Sequence, residues 1–227
     1  MSPRPIARRT SSRRTPALSV LSALALAAAA GLALWVAEPA RESHAAAEDK
    51  QPLQLAEGTG VKRPVVVELY TSQGCSSCPP ADALLGELAE QPGVLALSFH
   101  VDYWDYIGWK DPFAAAQYTE RQRDYAAKLG LRYVYTPQIV VDGRHDVVGS
   151  KRRAVARAVE ESAKSEPRVT VTLDEADGGQ VRLSAGTAPA GGATVWLVTF
   201  DDSHKTQVAR GENSGRALTN SNVVRQL

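Results

Sequence analysis

The chain has 227 residues, 26 basic and 25 acidic, a formal net charge of +1 and 44% hydrophobic residues. That length suggests one or two domains with enough apolar content for a real core. No basic patch stands out, so nucleic-acid binding has no support, and two cysteines are too few for a disulfide-stapled scaffold.

The first stretch is not ordinary globular sequence. Met1 to Pro16 carries Arg4, Arg8, Arg9, Arg13 and Arg14 and no acid, and Ala17 to Ala37 runs without a charge. Ala45-Ala46-Ala47 then offers a small-residue cleavage site. A basic region, an apolar region and an A-x-A site together predict a secretory signal over 1–47. The apolar run is also long enough to span a bilayer, so retention as an N-terminal anchor is the alternative. In either case the rest is exported, to a periplasmic or secreted location, held at the inner membrane in the anchored alternative. Beyond Ala47 remain 20 basic and 23 acidic residues, a net charge of −3.

Residues 48–60 read as a polar linker and 61–166 as an α/β domain. Val65-Val66-Val67-Glu68-Leu69-Tyr70 predicts a buried strand. After Cys75 to Cys78 and Pro79-Pro80, Ala81, Leu84, Leu85, Leu88 and Ala89 mark one helix face. The prolines are tolerated because they sit in the first turn. Pro92-Gly93 ends that helix, and Val94 to Val101 is the next strand, completing a right-handed βαβ unit. Asp111-Pro112 predicts the start of a helix that runs to Leu129 and stops at Gly130. Gln138 to Val141, the turn Asp142-Gly143 and His145 to Val148 predict a hairpin. A helix follows over Lys151 to Lys164. From Pro167 the texture becomes short strands, at Val169–Leu173, Val181–Leu183 and Ala193–Phe200, with turns at Asp177-Gly178-Gly179 and Ala190-Gly191-Gly192. Residues 167–227 are therefore expected to form a small all-β C-terminal unit.

Cys75 and Cys78 carry the chemistry. Two cysteines separated by two residues at a strand-to-helix junction predict a redox pair. A helix N-terminus presents unpaired N–H groups and partial positive charge, which stabilise a thiolate. Its pKa then falls from about 8.5 into a range of roughly 3.5–7.5. Cys75 is expected at the exposed mouth of the turn as the attacking thiol, and Cys78, drawn into the helix, as the resolving one. An inert structural disulfide is the alternative, although so short a loop would make it a weak staple.

The order strand, Cys-x-x-Cys helix, strand, helix, Pro-strand, hairpin, helix resembles the thioredoxin superfamily. That resemblance implies a central mixed sheet flanked by helices, a cis Pro137 beside the redox pair, and Thr136 presenting backbone groups to an extended substrate. By the general state of X-Pro bonds, a trans proline opening a strand stays open. The stretches Glu68 to Asp82, Val101 to Trp109, Tyr135-Thr136-Pro137-Gln138 and Arg210 to Arg216 further resemble an exported bacterial family catalogued as domain of unknown function 1223. The likeness covers about 61–227 and implies a fold, a compartment and further strands past Leu227, but no substrate.

Tyr103, Trp104, Tyr106 and Trp109 either line a groove or roof the core. Asp102 and Asp105 are candidate buried acids, with surface solvation the plainer reading. His100, His145 and His204 could join the cysteines as metal ligands, yet the exported part has no methionine for soft Cu(I). Gly211 to Gly215 is no phosphate loop. The expected function is thiol–disulfide exchange on exported cysteine-containing proteins with an unknown redox partner, without metal or cofactor. The alternatives are a non-catalytic binding module and a copper metallochaperone.

Overall fold

The computed structural model describes residues 63–166, 171–174, 180–183, 190 and 192–227, all within the unit Ser43–Leu227. The leader, the linker and the turn at 177–179 lie outside these residues. Among the described residues no helix is long and apolar enough to cross a membrane.

The chain forms β1 (Val65–Thr71), α1 (Pro79–Ala89), β2 (Val94–His100), a 3₁₀ turn (Asp105–Ile107), α2 (Ala116–Leu129), β3 (Gln138–Val141), β4 (His145–Val148) and α3 (Arg152–Ala163). Then follow β5 (Val171–Asp174), β6 (Gln180–Leu183), β7 (Thr199–Gln207) and β8 (Ala217–Gln226). A six-stranded mixed sheet runs β4-β3-β1-β2-β8-β7, and β5 and β6 pair separately. β1 and β2 are parallel from Val65↔Val94 to Thr71↔His100, and β3 is antiparallel to β1.

The two-residue period of β1 sorts its side chains between the two faces of the sheet. Val65, Val67 and Leu69 join Leu84, Leu85 and Leu88 of α1 and Val155 and Val159 of α3 in one buried cluster. Tyr70 joins Phe99, Val140, Val224 and Tyr118 of α2 on the other face. Each fully buried Leu contributes on the order of 1.5–3 kcal/mol, so the three leucines of α1 anchor the helix that begins at Cys78.

Several local expectations hold. Asp142 and Gly143 both take positive φ, 48° and 66°, as a two-residue hairpin turn requires. Gly130, at φ 68°, ends α2 and donates to Ala126 and Ala127 carbonyls. Two expectations change. The helix expected from Asp111 starts at Ala116, because the Asp111 carboxylate is committed to His100 and the Gln73 N–H. Asp111 instead makes a turn, accepting from Phe113 and Ala114 N–H groups.

The second change concerns the C-terminal region. The strand expected over Ala193–Phe200 is irregular to Val198 and begins at Thr199. β7 and β8 do not stand apart as an all-β unit; they extend the central sheet, with β8 parallel to β2 at Ser98↔Val223. The reason is apolar: Val223 and Val224 are buried beside β2. The outermost strand β7 is polar, with Asp201, Asp202, His204 and Lys205, which suits an unpaired edge.

Candidate functional site

The last residue of β1 and the first of α1 bracket the Cys75–Cys78 loop. Ser72 turns the chain: its carbonyl accepts from Cys75 N–H at 3.1 Å and its hydroxyl from Gly74 N–H at 3.0 Å. Cys78 caps α1, and Pro79-Pro80 fill the positions where an N–H would lack a partner. Cys75 and Cys78 are joined in a disulfide with Cα atoms 5.5 Å apart.

Thr136-Pro137 is cis. The Thr136 hydroxyl donates to Cys75 Sγ at 3.3 Å, and Trp104 Nε1 donates to Thr136 Oγ1 at 2.8 Å. Ser77 Oγ lies 3.3 Å from the same sulfur. A site at Gly74 has no room for a side chain, since a Cβ there would meet Trp104 Cβ at 3.1 Å. Thus two hydroxyls face Cys75, and hydrogen bonds to the charged form are what lower a pKa. One expectation is corrected here. Both sulfurs are fully buried, at 0% exposure, whereas Cys75 was expected at an exposed mouth. Ser76 and Ser77 are exposed and mark the direction from which the disulfide is reached.

What closes over the loop comes from 136 to 140 residues further on. In the β7–β8 connection, buried Asn213 donates to the carbonyls of Gln73 and Cys75, both at 2.9 Å. Arg216 Nη1 holds Asn213 Oδ1 at 2.8 Å. The neighbouring Glu212 accepts the Ser76 N–H at 3.1 Å. Gly211, at φ +74°, packs so closely on Trp109 that a Cβ would lie 3.2 Å from it. Nothing local in residues 210–216 signals these contacts, because they are made across the whole fold.

Beneath the loop lies a buried polar layer. Gln73 donates its N–H to Asp111 Oδ2 at 2.7 Å and its amide to Thr206 and Asn220, both at 3.0 Å. His100 Nδ1 is 2.7 Å from Asp111 Oδ2, with both side chains fully buried. Among the described residues His100 Nε2 has no hydrogen-bond partner. Burial pushes Asp111 up, but the His100 ring and the N–H bonds outweigh it and hold the carboxyl below its ordinary value.

Asp82 is the buried acid nearest the redox pair in sequence. It lies four residues after Cys78, so both share one face of α1, and it accepts from Thr71 Oγ1 at 2.7 Å. Burial pushes its carboxyl up to about 7, against the lowering effects of His100 and the Thr71 bond. A charged residue one turn from a cysteine on an otherwise apolar helix face was the available sign. The acids weighed from sequence have other partners: Asp102 accepts from Thr119, and Asp105 accepts the Asp111 N–H.

The aromatic cluster divides. Trp104 and Trp109 hydrogen-bond inward, Tyr103 donates to Gln122, and Tyr106 is exposed. His204 pairs with Asp201, and His145 lies opposite Val141 in the hairpin. Among the described residues no cluster of three or more His, Cys, Asp or Glu is placed to hold a metal.

The family model described as "Protein of unknown function (DUF1223)" matches residues 66–227. A crystal structure of protein AGR_C_4864 from Agrobacterium tumefaciens is similar with 34% identity and a TM-score of 0.61, over 71% of this chain and 70% of that one. No curated protein matches the chain.

Proposed function

The chain belongs to the family of proteins of unknown function designated DUF1223, and from that premise we propose that it is an exported thiol–disulfide oxidoreductase of thioredoxin-like fold. Its substrates are cysteines of extracytoplasmic proteins, and Cys75 and Cys78 form its redox couple. The β1-α1-β2 unit followed by β3, β4 and α3, with Thr136 set against Cys75 Sγ, supports the fold. The basic and apolar leader ending at Ala47 supports export.

The observation that carries the reading is the donor chain Trp104 to Thr136 to Cys75 Sγ. It is aimed at the sulfur that must hold negative charge. In the reduced protein the Cys75 thiolate attacks a substrate disulfide. One substrate sulfur leaves as a thiolate and takes a proton from water; the other stays bonded to Cys75. Cys78 then loses its proton and attacks the Cys75 sulfur, which restores the internal disulfide and frees the second substrate sulfur. Asp82, one turn from Cys78 and poised near neutrality, is the group to take the Cys78 proton. Run backwards, the same steps oxidise a dithiol.

Complete burial of both sulfurs favours a second reading, a passive disulfide in a binding module. Cys78→Ser separates the two. In the oxidoreductase, the lone Cys75 of this variant alkylates rapidly below neutral pH and accumulates a mixed disulfide with glutathione disulfide or a partner protein. A Cys75 that resists both reagents in the folded variant overturns the proposal in favour of the passive disulfide.

A further inference from the structure

We infer that Glu212 tunes the reduction potential of the Cys75–Cys78 couple toward the reducing side by placing a fixed carboxylate at the peptide group that follows Cys75. The inference rests on the oxidoreductase reading and adds to it a determinant outside the Cys-x-x-Cys loop.

Three observations carry it. Glu212 accepts the Ser76 N–H at 3.1 Å, and Ser76 is the residue bonded directly to Cys75. Its carboxyl is held below its ordinary value by the Ser76 hydroxyl and N–H, so it is charged throughout the neutral range. The segment that presents it is pinned. Asn213 is buried and bridges the Gln73 and Cys75 carbonyls, Arg216 holds Asn213, and the turn closes on itself through Ser214 N–H to Gly211 and Gly215 N–H to Val208. The carboxylate is therefore positioned rather than swept through solvent.

The consequence is electrostatic. In the disulfide state Cys75 is neutral, and Glu212 is the anion that occupies this amide. On reduction the Cys75 thiolate becomes a second anion beside it. Like charges in contact with one short stretch of backbone disfavour the thiolate, so the disulfide gains in relative stability. For two like charges on neighbouring residues near a solvated surface, the effect is about three- to tenfold in the equilibrium constant. At about 30 mV per decade for a two-electron couple, this is a shift of roughly 15–30 mV. An exposed charge also implies screening, so the effect must shrink as salt rises.

The test equilibrates the wild-type chain and Glu212→Gln with glutathione. In that exchange the protein disulfide takes two electrons and two protons from two glutathione thiols, which leave as glutathione disulfide. The expected result is that Glu212→Gln is more oxidising by about three- to tenfold at low salt, with the gap closing in molar salt, while Glu212→Asp stays near wild type. Cys75 in Glu212→Gln, Cys78→Ser should also ionise at lower pH than in Cys78→Ser alone. Equal equilibrium constants for wild type and Glu212→Gln at low salt overturn the role of Glu212 and leave the oxidoreductase reading standing. A wild-type disulfide that does not exchange with glutathione at all overturns both.

Discussion

Asp82→Asn isolates a single buried charge. Asp82, on α1, is 5% exposed and accepts a hydrogen bond from Thr71 of β1. Its carboxyl moves from the ordinary 3.8 to about 7 on folding, chiefly through burial. The sign follows from proton counting. Between these two values the unfolded chain has released the proton and the folded chain still holds it, so the unfolded state binds fewer protons and stability falls as pH rises. At about 1.4 kcal/mol per unit, the loss over that window is on the order of 4 kcal/mol. Below the ordinary value, and again above the folded value, the contribution is flat. Asp111 and Asp142 are shifted down and act in the opposite sense, but only as pH falls through their low folded values, whereas Asp105, raised by burial, acts in the same sense as Asp82 and does so in both proteins. Asparagine keeps the shape and can still accept the Thr71 hydrogen bond, and it carries no titrating proton. Urea unfolding of the oxidised protein at several pH values between 4 and 8 should show wild type losing stability across the window and Asp82→Asn losing much less. The variant should therefore be the more stable protein at pH 8. Parallel pH profiles for the two proteins would refute the buried-acid argument.

Thr136→Val removes the hydroxyl that donates to Cys75 Sγ at 3.3 Å while keeping the branched shape; in a Cys78→Ser background the thiolate absorbance should titrate about one unit higher, the size of one lost charge-assisted hydrogen bond. Asn213→Ala strips two donors from the buried carbonyls of Gln73 and Cys75. It should cost about 2 kcal/mol in denaturant unfolding with the disulfide intact, and it should speed reduction of that disulfide by dithiothreitol.

Much of the site was legible locally, because the forces that shape it act over a few residues. The Cys75–Cys78 spacing, the prolines at the start of α1, the leucines at helical spacing, the Asp142-Gly143 turn and the stop at Gly130 all depend on backbone preference and nearby hydrogen bonds. The placement of Thr136 against Cys75 was implied only through the resemblance of the order of elements to the thioredoxin superfamily. The start of α2 was misread because Asp111 is a good cap in isolation, and its carboxylate is taken by His100 and Gln73 in the fold.

What the chain's local pattern determined is thus a βαβ unit with a redox loop at its junction and a hairpin behind it. Tertiary structure alone decided that β8 lies beside β2, that Asn213 and Glu212 close over Cys75, and that Asp82, His100 and Asp111 share a buried polar layer. These depend on partners up to 147 residues apart. Alternation in a strand says which side chains share a face, but which strand it joins is chosen by the burial of the whole sheet, and a buried polar group is stable only once its distant partner is in place.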